Sequence, residues 1–170
     1  MTSSSKDLTG DRVIDKIKEC GVTHIVWLPD GVASFMYQPM MTRKDFTLVQ
    51  VCREGEALPI AAGLVLGGKK PLVLHQSTGI FESGDSIRLV ASELHLPILM
   101  LIGYRSWKPN PNPPVIDSAA IFIEPILKAW GIKYYLLQSD DDVDIISTAD
   151  MEAQKTRKPV VVLIARELQF

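Results

Sequence analysis

The stretch Arg53-Glu54-Gly55-Glu56 places three charged residues and a glycine between the apolar runs FTLVQVC and ALPIAAGLVL. If the first run is a strand and the second a helix, both carboxylates stand where a parallel sheet meets a helix N-terminus. Open α/β sheets bind their ligands along that edge. A glutamate there has two uses. It can complement the positive end of the helix dipole, which is worth about 0.3–1 kcal/mol. It can also be held dry and exchange a proton with a bound group, which is general acid–base chemistry governed by position. Residue type alone leaves Glu54 and Glu56 open to either role.

The elements that must position these residues alternate along the chain. LTGDRVIDKIKECG has apolar residues at helical spacing, Leu8, Val13, Ile14 and Ile17, and ends on Gly21. THIVWL is a short strand stopped by the turn signal PDG. SFMYQPMMT reads as a short helix interrupted by Pro39, and FTLVQVC as a strand. EGEALPIAAGLVLGG reads as a small-residue helix, with Pro59 in its first turn. PLVLHQ is a strand, STGIFESGD a polar turn, SIRLVASELH a helix and PILMLIG a strongly apolar strand. A loop rich in Pro and Asn follows, YRSWKPNPNPPVIDS. The helix AAIFIEPILKAWG, the strand KYYLL, the helix DDVDIISTADMEAQKT and the strand PVVVLIAR complete the chain. Strands apolar on both faces and separated by helices specify a three-layer, doubly wound, mostly parallel α/β sheet of six strands.

With 170 residues, 46% hydrophobic and 22% charged, the chain has the composition and length of one globular domain, 1–170. The opening MTSSSKD lacks the apolar core of a signal peptide, and residues 1–6 are expected to be a disordered terminus. No apolar run reaches the roughly 18 residues of a membrane span. A net charge of −2 without a basic stripe gives no footprint for nucleic acid. Cys20 and Cys52 lie in apolar patterns and are expected as buried thiols in a reducing, cytoplasmic setting. No GxGxxG follows the first strand, no GxxxxGK[ST] is present, and HQSTG lacks the GxSxG of a nucleophile elbow. Rossmann dehydrogenases, P-loop enzymes and α/β-hydrolases are thereby excluded.

Several motifs in order do fit one family. Glu54-Gly55-Glu56-Ala57, then Ala61-Ala62-Gly63, then GGKKP resemble the pyrimidine-binding (PYR) domain of thiamine-diphosphate (ThDP) enzymes. GVTHIVWLPDG, HQSTG and LPILMLIGYR are similar to segments of the phosphonopyruvate and sulfopyruvate decarboxylases. The resemblance runs over residues 8–168, nearly the whole chain. It implies the PYR type of ThDP-binding fold and a 2-oxo acid decarboxylase, foremost one releasing CO2 from 3-sulfopyruvate to give sulfoacetaldehyde. Phosphonopyruvate decarboxylation, ThDP-dependent carboligation and a non-catalytic regulatory subunit are the alternatives.

The resemblance also assigns roles. ThDP loses a thiazolium proton to its own aminopyrimidine, which requires a carboxylic group trading a proton at ring atom N1′. By its spacing to Ala61-Ala62-Gly63 the family's glutamate corresponds to Glu54, leaving Glu56 a first-turn helix residue. Gln76, Ser77, Thr78 and Gly79 become candidates for the cofactor pocket, and Asp30, Gly31, Ser34 and Arg105 for the substrate. Lys108 is a second cation for an acidic substrate, and Arg53 could orient a partner group. His75 is expected to be a core histidine. Magnesium belongs with the cofactor's diphosphate, and in this family a Gly-Asp-Gly…Asn-Asn stretch binds it. Asp30 lacks the preceding glycine and Asp85 the following one, so the metal ligands are expected on a separate β subunit. A homo- and hetero-oligomer with a small 2-oxo acid at the α–β interface is the assembly this implies. The loop SWKPNPNPPVIDS departs from the relatives in having no histidine.

Overall fold

The computed structural model describes residues 7–166; the expected disordered terminus at 1–6 lies outside them. Six strands form one sheet: β1 His24–Trp27, β2 Thr47–Gln50, β3 Pro71–Gln76, β4 Leu99–Gly103, β5 Lys133–Leu137 and β6 Val160–Ile164. Their order is β2-β1-β3-β4-β6-β5 and every pair is parallel. The expected sheet is therefore wholly rather than mostly parallel. The interior strands β4 and β6 are buried along their entire length, as continuous apolar runs covered on both faces should be. β2, at the edge, is only half buried.

Alternation along the strands sends side chains into two cores. Ile25, Leu72, Leu74, Leu101 and Val162 face one layer, with α1 (Gly10–Glu19), α2 (Tyr37–Thr42) and α7 (Ile145–Thr156). Val26, Val73, Met100, Ile102 and Val161 face the other. That second layer contains α3 (Glu54–Leu66), α4 (Ser77–Glu82), α5 (Gly84–Arg88) and α6 (Ser118–Ala129).

Several local expectations change. STGIFESGD is not a polar turn: Ser77–Glu82 is helix α4, which starts directly from the end of β3. SIRLVASELH is not one helix but α5 followed by a π-helical turn, Leu89–Leu94, closed by His95 at a φ of +52°. Pro39 does not interrupt its helix. It is the third residue of α2, within the first turn, where backbone N–H groups have no intrahelical acceptor anyway.

Pro59 lies in the second turn of α3, beyond the first turn where it was expected. Its missing N–H frees the Gly55 carbonyl, which accepts instead from Ser86 Oγ at 3.4 Å. Cys52 is exposed rather than buried, because β2 ends at Gln50, Val51 takes the last buried position and Cys52 falls in the turn. Cys20 is half buried beside Ser147 Oγ at 3.6 Å, and burial pushes its thiol up.

Candidate active site

Strand order decides where the candidate residues meet. From β1 the chain passes to β2 on one side, and from β3 to β4 on the other, so the sheet switches direction between β1 and β3. The crevice at such a switch, outside the carboxyl ends of the strands, is where open α/β sheets bind ligands. Asp30, Gly31 and Ser34 follow β1, Glu54 follows β2, Gln76 ends β3 with Ser77–Gly79 directly after it, and Arg105 follows β4. All the sequence-predicted residues thus lie along one edge. Register aligns Gln76 with Gly103 across β3 and β4, so the loops beyond them leave the sheet at the same level.

Glu54 is the first residue of α3, and Arg53 is its N-cap. Both glutamates lie in the first turn of α3, but they touch different groups. Glu56 Oε2 accepts from the N–H groups of Cys52 and Arg53, each at 3.1 Å, and closes the helix start. The Glu54 carboxyl accepts from no backbone N–H but its own. Its side chain lies over Gly79, where an added Cβ would come within 2.4 Å of Glu54 Cγ, 2.6 Å of its Cβ and 2.7 Å of His75 Nδ1. Only a glycine allows helices α3 and α4 to approach this closely. Ser83 Oγ, fully buried, donates to the Glu54 carbonyl at 3.1 Å. Burial pushes the Glu54 carboxyl above the ordinary glutamate range, and the neighbouring Glu82 carboxylate adds to the rise.

His75 is the expected core histidine, with no exposed surface. Its Nδ1 lies 2.8 Å from the Gln76 carbonyl, which can only accept, so Nδ1 carries the proton. Nε2 is then a buried acceptor with no partner among the described residues. Burial lowers the His75 pKa to about 4, so the ring is neutral near pH 7.

In the β1 loop, Asp30 Oδ1 accepts from Val32 N at 2.6 Å and Ala33 N at 3.0 Å. Its Oδ2 is buried without a partner among the described residues. Burial raises this carboxyl, opposed by those N–H groups and the nearby Gln76 side chain. Gly103 leaves room for it: a Cβ there would stand 2.9 Å from Asp30 Oδ1. Gly31 faces open space and Ser34 Oγ donates to its carbonyl at 2.8 Å.

The remaining candidates are more committed. Ser77 is fully buried and accepts from Arg105 N at 3.4 Å, tying the ends of β3 and β4 together. Thr78 Oγ1 donates to Gln76 Oε1 at 3.4 Å. Arg105 Nε donates to Asp117 Oδ2 at 2.8 Å, an oxygen shared with Ser106 Oγ at 2.7 Å. Asp117 Oδ1 also caps α6 through Ala119 N at 2.9 Å. Lys108 is exposed. Sequence reading missed Glu82, Ser83 and Asp117. The serine and aspartate that precede helices were a legible signal, but their contacts with distant residues were not. Among the described residues no cluster of three or more His, Cys, Asp or Glu is placed to hold a metal ion. No described helix is long and apolar enough to cross a membrane.

No protein-family model matches the chain. Among curated proteins, the sulfopyruvate decarboxylase of Methanosarcina acetivorans is 22% identical over 156 residues, covering 91% of this chain and 39% of that protein. The sulfopyruvate decarboxylase subunit alpha of Methanococcus maripaludis is 27% identical over 155 residues, covering 91% of this chain and 92% of that subunit. Among solved structures, an enzyme from Mycobacterium smegmatis described as thiamin diphosphate-dependent superposes with a TM-score of 0.70. That match has 23% identity and covers 94% of this chain and 30% of that one, and it establishes the fold. The chain thus spans under two-fifths of the first relative and nearly the whole length of the α subunit. Along nine-tenths of its sequence this protein is similar to sulfopyruvate decarboxylase α subunits, and its fold is shared with a solved enzyme described as thiamin diphosphate-dependent.

Proposed function

We propose that the chain is the α subunit, a single PYR-type domain, of a ThDP-dependent 2-oxo acid decarboxylase that converts 3-sulfopyruvate to sulfoacetaldehyde and CO2. One observation supports this above the others. Glu54 leads a helix at the ligand-binding edge of the sheet, leaves capping to Glu56, and has its carboxyl biased towards the protonated form. A carboxyl so biased holds a proton more readily than an ordinary glutamate and can exchange it with a ring nitrogen.

The residues present fit the cofactor. Gly79 lets the Glu54 side chain seat against α4, His75 Nε2 is a buried acceptor with no partner among the described residues, and the neutral ring sets no positive charge against an aminopyrimidine. Bound ThDP would supply the electron sink that loss of CO2 from a 2-oxo acid requires. Glu54 would hold the proton at N1′, with Gln76, Ser77, Thr78 and Gly79 forming the adjoining wall. Asp30, Gly31, Ser34 and Arg105 line the rest of the edge and are assigned to the substrate, with the guanidinium of Arg105 matching a sulfonate or carboxylate.

Magnesium and the diphosphate are assigned to a separate β subunit, with the cofactor at the α–β interface. The apolar side chains left outside on α3 and α6, Ile60, Leu66, Ile121 and Phe122, favour such an assembly.

The test is CO2 release from 3-sulfopyruvate and phosphonopyruvate by the chain co-purified with its β partner, ThDP and Mg2+. Turnover of 3-sulfopyruvate that falls at least ~100-fold in Glu54→Gln supports the proposal. Unchanged turnover in Glu54→Gln would refute the role of Glu54 and point to a regulatory subunit.

A further inference from the structure

Glu82 is the last residue of α4, 28 positions beyond Glu54, and the proposed function gives it no role. Its Oε1 accepts from Arg53 Nη2 at 2.6 Å and Arg53 Nε at 2.7 Å. Its Oε2 accepts from Gly55 N at 3.3 Å. Arg53 and Gly55 are the two chain neighbours of Glu54, so one carboxylate holds a guanidinium on one side of the candidate proton carrier and a backbone N–H on the other. Gly79 beneath the Glu54 side chain and Ser83 on its carbonyl belong to the same short segment. An ordinary surface ion pair would not need to straddle another residue in this way.

We infer that Glu82 is a positioning residue for Glu54: clamped by Arg53 and the Gly55 N–H, it keeps a fixed negative charge beside the Glu54 carboxyl and so sets which of the two bears the proton. The inference rests on the proposed role of Glu54.

Glu82 is held against Arg53 and Gly55, the chain neighbours of Glu54, and neighbouring carboxyl groups do not ionise independently. The ion pair with Arg53 holds Glu82 below the usual glutamate range, whereas burial and the Glu82 charge raise Glu54. The proton is thus directed to the residue that faces the sheet edge. The other charged groups near the pair are already engaged. Glu56 closes the helix start, Asp85 pairs with Arg88 at 3.0 Å, and His75 is neutral. Arg53, Gly55, Glu56, Glu82, Asp85 and Ser86 line an open hollow of about 270 Å³, through which solvent reaches the clamp.

The test uses the full chain with 13C-labelled glutamate side chains, titrated by NMR, with the Glu54 signal assigned by its loss in Glu54→Gln. Removing the charge in Glu82→Gln should move the Glu54 midpoint to lower pH. Removing the counter-ion in Arg53→Gln should move it to higher pH. Opposite displacements are the signature of the clamp, since mere loosening of α4 would shift both variants the same way. In the complex with the β partner, the kcat/KM pH profile should move acid-ward in Glu82→Gln, with less effect on KM than on kcat. Midpoints that stay put, or move in the same direction in both variants, would overturn the inference. If instead Glu54→Gln leaves decarboxylation intact, the proposed function fails while the titration still reports on the pair.

Discussion

Gly79→Ala probes the contact that holds the candidate site together. The added Cβ would stand 2.4 Å from Glu54 Cγ, 2.6 Å from Glu54 Cβ and 2.7 Å from His75 Nδ1. All three distances are far inside van der Waals contact. Because Glu54 Cβ is fixed to the α3 backbone, a change of rotamer cannot relieve the clash, and α3 and α4 must move apart. Alanine improves helix propensity by up to about 1 kcal/mol. Overpacking a tight contact costs about 1–3 kcal/mol, and the separation also stretches the Ser83–Glu54 and Glu82–Gly55 hydrogen bonds. Overpacking should win, for a net loss of about 1–2 kcal/mol. In a domain of this size that lowers Tm by about 2–8 °C. If Glu54 has the proposed role, the effect on activity should be larger than the effect on stability, because displacing a catalytic group by about 1 Å can cost ~100-fold in rate. Thermal unfolding followed by circular dichroism measures the first quantity, and CO2 release with the β partner the second. A variant as stable and as active as the parent would refute the claim that Gly79 is required by its contact with Glu54.

Three further outcomes follow from other contacts. His75, with its pKa lowered from 6.5 to about 4, is neutral in the folded chain across a range where the unfolded chain binds a proton. Its contribution is therefore complete above pH 6.5 and is lost as pH falls towards 4. A shift of that size corresponds to about 3 kcal/mol in total. Urea midpoints at pH 7 and 4.5 should fall further in the parent than in His75→Leu, and equal falls would contradict the assignment. Asp117→Ala should cost about 1 kcal/mol, since it removes the cap of α6, and should release the Arg105 side chain. Arg105→Ala leaves that cap in place, so it should raise KM for 3-sulfopyruvate with little change in Tm; an unchanged KM would remove Arg105 from the substrate site.

The sequence by itself determined the elements whose causes are local. β3 and β5 coincide with PLVLHQ and KYYLL because each is a short apolar run bounded by turn residues. The start of α3 at Glu54 follows from the polar junction before a small-residue run, whereas Glu54 and Glu56 were told apart only through the resemblance to ThDP enzymes. Local pattern also misled where two readings have the same composition. STGIFESGD is polar enough for a turn, yet forms α4 because β3 ends against it and α3 covers it.

Only the tertiary structure decided what lies beside Glu54. Strand order β2-β1-β3 folds residues 77–83 back over residue 54, bringing together groups 25 to 29 positions apart in the chain. The Glu82 clamp, the Gly79 contact and the Ser83 hydrogen bond all depend on that crossover. So does the pairing of Arg105 with Asp117, which requires the loop between them to close over the end of β4. Periodicity records which face of an element is buried. It holds no information about which distant element supplies the cover, and the charges that bias the Glu54 proton come from that cover.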